Sequence, residues 1–543
     1  MVHSLVSLCA AEVVSDHSSS PCWLQWIPRE LYRPLLEASF TSNRPLAVGE
    51  LVQRWPERTL RVGRRKRGVA SPNRLCIQAL LLAVVRGLTD QRSILQLLDL
   101  CGQQGDEGSL GDPMGGWSLT VALCTMIVQA GAKRAQRKDG ERERKRFSAL
   151  QRHADVKRER ADIVENNSSA SSEIRSEEEL TKGVRRRMEL KRKGEGPSTD
   201  EADSRMESIE NDIVLVHVRA DLFVNARSWD RVRAALSSQG PLKLQCRYLR
   251  IEEISVSSIK ILLNLLPHQF LLGLDVRYSS LGVAGLAELL PLLSTFPALE
   301  SLRLHYCNLD IRRDLHGQEE ALRDLSQGLT QLHHLKSLSL TALRLPGQLR
   351  VMLSSLPQPL ETLELPYLSL SPADLAYLSI SHHASTLQQL DLSENRLDEA
   401  TLPSVRRLLS QASSSLQHLS LSGCGLTDHL LGLLLPSLGC CIALKSLAFA
   451  LNPLSMSGLM DLVKMAVRMG SLRQLLYPNP LEDYQPGLPD LPSSAQLLDW
   501  PLDDTIEISA TSTLLNRVLI ENGRSNLHLT CDLLNYHKNL KDE

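Results

Sequence analysis

The stretch LQQLDLSENRL at 387–397 sets Leu387, Leu390, Leu392, Asn395 and Leu397 at the spacing of a leucine-rich repeat. Such a unit is one short strand with a return helix, and it cannot bury its apolar face alone. The chain must therefore supply neighbours. The same template fits LLGLDVRYSSL from Leu271, LESLRLHYCNL from Leu299, and the runs starting at Leu335, Leu360, Leu416 and Leu444, giving seven clear copies. Two weaker copies flank them, PLKLQCRYLRI from Pro241 and LRQLLYPNPL from Leu472, as expected of units that close a stack. Start-to-start intervals of 30, 28, 36, 25, 27, 29, 28 and 28 residues leave room for a helix between strands. The 36-residue interval contains the polar DIRRDLHGQEE, 310–320, read as a loop thrown out of the coil. The pattern predicts an α/β fold, a leucine-rich repeat solenoid forming a horseshoe of about eight to nine β-α repeats of roughly 28 residues.

Around this array, at 211–482, the composition divides the chain. Residues 1–130 read as a small helical module: MVHSLVSLCAAEVV carries Leu5, Cys9 and Val13 on one stripe, and IPRELYRPLLEASF, LAVGELVQRWP and LCIQALLLAVVRGL follow. The module ends with the apolar segments ILQLLDLCG and WSLTVALCTMIVQA. Pro28 suits a first helical turn, whereas Pro34 should kink or restart the helix. From 131 to 210 the character changes. Residues 133–210 hold 21 Lys/Arg and 18 Asp/Glu with one aromatic, Phe147, too little apolar surface to offset chain entropy, so this segment is expected to be a disordered charged linker. Residues 483–543 begin Pro-rich and close with a helix, a Gly turn and a strand, read as a cap over the open end of the coil.

The bulk numbers narrow the function classes. A formal net charge of -1 argues against a polyanion-binding body, and the basic linker lacks the aromatic residues that stack bases, so nucleic acid is not the expected partner. Eleven scattered cysteines without a Cys-x-x-Cys pair fit a reducing compartment and structural thiols. With no apolar run of spanning length, the expectation is a cytoplasmic protein with no membrane contact. The basic clusters RVGRRKRG, 61–68, and VRRRMELKRK open the nucleus as a second compartment. No phosphate-binding Gly loop, nucleophile elbow or metal-ligand spacing occurs, and His333-His334 and His382-His383 read as turns between helix and strand. The chain is therefore expected to be no enzyme, with no cofactor, metal or catalytic residue.

Within the template the leucines point into the core, and the residues between them point to the concave surface. The eighth position reads Tyr248, Tyr278, Tyr306, Ala342, Tyr367, Glu394, Gly423 and Leu451. Four of the first five are tyrosines in a chain that has nine. Arg247, Arg277, Arg303 and His305 stand beside them, and Glu364, Asp391 and Glu394 make the middle acidic. These residues form either a partner-binding face of defined polarity or a cover over the strand exits.

IPRELY at 27–32, Trp55-Pro56 and the LDLSxNxL core resemble the PRAME family of leucine-rich repeat proteins. RADLFVN at 219–225, LRLHY at 302–306, HHASTLQQLDLS at 382–393 and NPLSMSGL at 452–459 resemble its leucine-rich repeat-containing protein 14 group, the B form most. The likeness covers 1–130 and 211–535, and it skips the linker. It implies a substrate-recognition subunit of a cullin-2 RING ubiquitin ligase; the competing reading is a stoichiometric scaffold that occludes a signalling or transcriptional regulator without ubiquitination. On that likeness Ser4, Leu5, Cys9 and Val13 match the elongin-docking box, and Ile27, Pro28, Leu31 and Leu35 match the cullin-2 box. The implied partners are elongin B/C, cullin-2 and a protein target on the concave face.

Overall fold

The computed structural model describes residues 5–15, 26–62, 74–89, 94–102, 119–136, 215–308, 318–343, 347–503 and 508–533, with short helical pieces between 139 and 148. The linker expectation falls mostly outside this set, as do residues 63–68 of the first basic cluster, the second basic cluster and most of the 310–320 insertion.

Thirteen strands among the described residues form one parallel sheet in strict chain order. They are β1 (Thr59–Arg61), β2 (Leu97–Asp99), β3 (Val216–Val224), β4 (Leu242–Glu252), β5 (Gly273–Arg277), β6 (Ser301–His305), β7 (Ser337–Thr341), β8 (Thr362–Glu364), β9 (Gln389–Asp391), β10 (His418–Ser420), β11 (Ser446–Ala448), β12 (Gln474–Leu476) and β13 (His528–Thr530). Helices return between them, from Val256–Leu265 through Met456–Arg468, in a second layer. A helix is about 10 Å across and a strand about 4.8 Å, so stacking such pairs bends the array with the strands on the inner side. The repeat expectation is met in this solenoid of alternating strands and helices.

The repeat leucines form the core between the layers. Leu387, Leu390, Leu392 and Leu397 are all buried, and their equivalents continue through a single cluster that also takes in the N-terminal segment. The polar position of the template has a mechanical role at the strand exits. Asn395 is buried, its Oδ1 accepts from the N–H groups of Leu368 and Leu370 at 3.2 Å, and its Nδ2 donates to the carbonyls of Leu365 at 2.7 Å and Leu392 at 2.9 Å. Asn452 does the same for Leu426, Leu421 and Phe449. Cys307 and Cys424 hold the equivalent position with one thiol donor each, to the carbonyls of Val276 and Leu392. Burial pushes the Cys307 thiol up to about 12 and the Cys424 thiol higher still, so both remain protonated structural groups.

Three features differ from the sequence reading. First, the apolar segment ILQLLDLCG, placed in a helical module, holds a strand: Leu97–Asp99 is β2, joining β1 to β3, so the sheet begins before the repeats. A short apolar run fits a buried strand or a buried helix equally well, and only pairing decides. Second, the weak repeat at Pro241 is out of register. β4 is long: it pairs with β3 from Leu242 to Ile251 across a bulge, and only its second half pairs with β5, Tyr248 with Gly273 and Glu252 with Arg277. The residue equivalent to Tyr278 is therefore Glu253, not Tyr248. Third, the C-terminal region does two jobs. The helix Ile508–Glu521, a turn at Gly523 and β13 extend the coil past β12. The Pro-rich passage before them runs back along the strand exits instead, where Ser494 donates to Glu394 at 2.5 Å.

Pro34 falls in the first turn of the helix Tyr32–Thr41, where its missing N–H needs no partner. Among the described residues no helix is long and apolar enough to cross a membrane.

Candidate protein-interaction surfaces

The strand-lined face is built by register. Side chains alternate, so residues that pair across strands and avoid the core make rows on this face. The central row runs Arg250, Asp275, Arg303, Ser339, Glu364, Asp391 and Ser420. At the strand exits a second row runs Glu253, Tyr278, Tyr306, Ala342, Tyr367, Glu394, Gly423 and Leu451, every one with φ between +50° and +66°. Each N–H from Glu253 to Gly423 donates to the carbonyl of the residue before its neighbour in the next strand, as from Tyr306 to Thr341 and from Ala342 to Pro366, both at 3.0 Å.

That backbone conformation suits glycine, and it is uncommon for bulky side chains. Gly423 shows the low-cost solution, yet three positions carry tyrosine. Tyr278, Tyr306 and Tyr367 are 54%, 47% and 51% exposed, and the rings of Tyr278 and Tyr306 stack at 5.2 Å with 14° between planes. Large aromatic residues held in a costly conformation and half in solvent favour a role in contact over a role in folding.

The basic half is largely preorganised. Arg277 grips Asp275 with Nε and Nη2 at 2.8–3.0 Å, Arg250 pairs with Glu252 while lying over Phe223, and Arg247 lies over its neighbour Tyr248. Arg219 bonds Gln245 at 3.0 Å and covers Phe270. Arg303 has no hydrogen-bond or ion-pair partner among the described residues. His305 lies beside it with a buried Nε2 that makes no hydrogen bond, and burial lowers its pKa to about 4, against the pull of Asp275 at 3.8 Å, so it is neutral at pH 7. In the acidic part, Glu364 accepts from Gln389 and Asp391 from Ser393. Glu394 accepts from Ser494 and from the Tyr367 hydroxyl; burial raises the pKa of both Glu394 and Tyr367.

Arg247, Arg277, Tyr278, Arg303, His305, Tyr306, Glu364, Tyr367, Asp391 and Glu394 thus share one face. Tyr248 is also on it, 42% exposed, but at the strand entrances against Gly273 rather than in the exit row. Sequence reasoning passed over Arg219 and Arg250, which strand alternation within β3 and β4 places on the same side. It also missed Ser494, which only the fold brings back to Glu394 across 100 residues.

A second surface lies at the N-terminus. The helix Leu5–Ser15 packs through Ala10 and Val14 onto the helix Tyr32–Thr41, and it leaves Leu5, Leu8, Cys9 and Val13 outward. Leu5 is 77% and Val13 42% exposed; Ser4 lies outside the described residues. The proposed cullin-docking set divides. Pro28 is exposed and Leu31 half-exposed, Ile27 packs partly against the core, and Leu35 is buried with Tyr32 and Leu36. Leu35 is a core residue and offers nothing to a partner. Both His pairs lie in turns between helix and strand, as the sequence suggests, and His333 and His334 are exposed; His383, by contrast, is fully buried, its Nδ1 accepting from the N–H of Leu360 at 3.1 Å and its Nε2 donating to the carbonyl of Leu353 at 3.0 Å. No group of three metal-binding side chains occurs among the described residues.

Residues 216–488, from β3 to just past β12, match the PRAME C-terminal domain. The chain belongs to the PRAME family. Relatives that match along almost the whole chain include leucine-rich repeat-containing protein 14 of Xenopus laevis, 33% identical over 98% of both chains, and that of Mus musculus, 30% identical over 98% of both. PRAME family member 22 of Homo sapiens is 36% identical over 30% of this chain and 34% of its own length. These place the chain in the leucine-rich repeat-containing protein 14 group; they do not separate a B form within it. Membership of this repeat family points to a non-enzymatic protein-interaction adaptor.

Proposed function

We propose that the chain is the substrate-recognition subunit of a cullin-2/elongin RING ubiquitin ligase, holding its target on the strand-lined face while the N-terminal helices recruit elongin and cullin. The observation that carries this is the outward apolar side of the helix Leu5–Ser15. A helix exposing Leu5, Leu8 and Val13 with the small Cys9 between them suits a groove on a partner, with Leu5 as the anchor side chain. Pro28 and Leu31, both accessible just ahead of the helix Tyr32–Thr41, are the cullin-docking residues in this reading, without Leu35. The target side takes its polarity from the face, acidic groups of the target over β5 and β6 and basic groups over β8 and β9.

Pull-down of elongin C with wild type and with Leu5→Asp/Cys9→Phe tests the ligase reading. Elongin C captured by wild type and lost from the variant supports it. Elongin C absent from both leaves the stoichiometric scaffold, which binds its target on the same face without ubiquitination.

A further inference from the structure

The exit row of tyrosines has a gap. Tyr278, Tyr306, Ala342 and Tyr367 occupy equivalent positions on β5 to β8, fixed by the hydrogen bonds from their N–H groups to His305, Thr341, Pro366 and Ser393 at 3.0–3.1 Å. Where two tyrosines are neighbours, at 278 and 306, their rings stack at 5.2 Å, one ring per strand spacing of about 4.8 Å. Ala342 puts a methyl group where the third ring would stand. Tyr306 and Tyr367 are two spacings apart, about 10 Å, and no ring contact joins them among the described residues. That separation leaves room for one planar group about 5 Å from each ring. The floor beneath is low, because β7 carries only the short side chains of Ser337, Ser339 and Thr341 there, the last two of them buried.

We infer that this gap is a slot for one arginine side chain of the bound protein, its guanidinium entering between the rings of Tyr306 and Tyr367. The inference rests on the strand-lined face being the target-binding surface. Charge selects the guanidinium over an aromatic ring. The Tyr367 hydroxyl donates to the Glu394 carboxylate, and Glu364 stands below on β8. The hydrogen bonds to Glu364 and Glu394 come from Gln389, Ser494 and Tyr367, all neutral, so the β8–β9 side of the slot is negative, with Arg303 on the opposite side on β6. A guanidinium is planar, permanently charged and weakly hydrated, and it stacks on tyrosine faces, whereas an ammonium has no plane to insert. Arg303, unpartnered on β6, then meets an acidic residue close to that arginine in the target.

The test pans a phage-displayed random dodecapeptide library on the full chain, wild type and Ala342→Tyr. Tyrosine already holds the same left-handed conformation at 278, 306 and 367, so this variant fills the slot without a new backbone demand. An unchanged melting temperature checks that. Wild type is expected to select peptides with an essential arginine, whose replacement by lysine weakens binding at least tenfold, and Ala342→Tyr is expected to abolish their binding. Peptides with an essential aromatic residue, or binding that survives Ala342→Tyr, overturn the slot. Binding that survives Ala342→Tyr but is lost with Arg303→Glu removes the slot and keeps the face. Selected peptides insensitive to both variants remove the face as well.

Discussion

Replacing Asn395 by alanine is the sharpest perturbation of the coil. The side chain serves five backbone groups of two successive repeats. Its loss leaves the N–H groups of Leu368 and Leu370 buried without an acceptor, each costing about 1–2 kcal/mol. The carbonyls suffer less, because that of Leu392 also accepts from the Cys424 thiol at 3.3 Å. The sum is a destabilisation of about 3–4 kcal/mol. Asn395→Cys places there the residue that other repeats carry at Cys307 and Cys424, and it should cost less than alanine. Asn395→Asp should cost most, since a carboxylate would face three carbonyl oxygens beside Asp391 and Glu394. Urea unfolding of the full chain followed by circular dichroism gives the ranking, and hydrogen exchange of the 366–370 segment locates it. The reasoning is refuted if alanine costs under about 0.5 kcal/mol, the scale of an ordinary surface change, or if the cysteine variant is the weakest of the three.

Acid should weaken the fold through His383. Burial lowers its folded pKa from 6.5 to about 4, so between those values the unfolded chain binds a proton that the folded chain refuses. Stability is then full above about pH 6.5 and is lost as pH falls toward 4, by up to about 3 kcal/mol; a denaturation series across that range on wild type and His383→Gln should show a flatter slope in the variant. A Cβ at Gly423 would collide with the Glu394 carboxylate and sit at φ +66°. Gly423→Ala should therefore cost about 1–2 kcal/mol by urea titration and release Ser494, seen as faster exchange in 494–499. The N-terminal surfaces should separate cleanly in thermal melts: Leu35→Ala should cost about 2–4 kcal/mol, and Leu5→Asp under about 0.5 kcal/mol.

What the sequence made legible follows from periodicity. Leu390 and Asn395 declare their surroundings because burial and backbone bonding accept few alternatives there, and nine repeats say the same thing. The helix, turn and strand at the C-terminus were legible for a similar reason, with Gly523 in a left-handed turn marking the break. Register was harder. In the weak first repeat Pro241 aligned Tyr248 with the wrong row, since the bulge between β3 and β4 leaves no mark in composition. β2 was legible only as an apolar segment of a helical module, because its few apolar residues carry no period. For the site, sequence alone supplied the tyrosines and charges of the exit row. It had no means to see that Tyr278 and Tyr306 stack, that Ala342 interrupts them, or that Ser494 returns to Glu394. Those facts arise from strands laid side by side and from contacts far apart in the chain.

The central claim is that two separate surfaces join a target to ligase machinery. Co-purification from cells should compare wild type, Tyr278→Ser/Tyr306→Ser/Tyr367→Ser and Leu5→Asp, with recovered proteins identified by mass spectrometry. The account predicts that the tyrosine variant loses the target and keeps elongin C, while Leu5→Asp loses elongin C and keeps the target. Both variants retaining every protein that wild type recovers would contradict it.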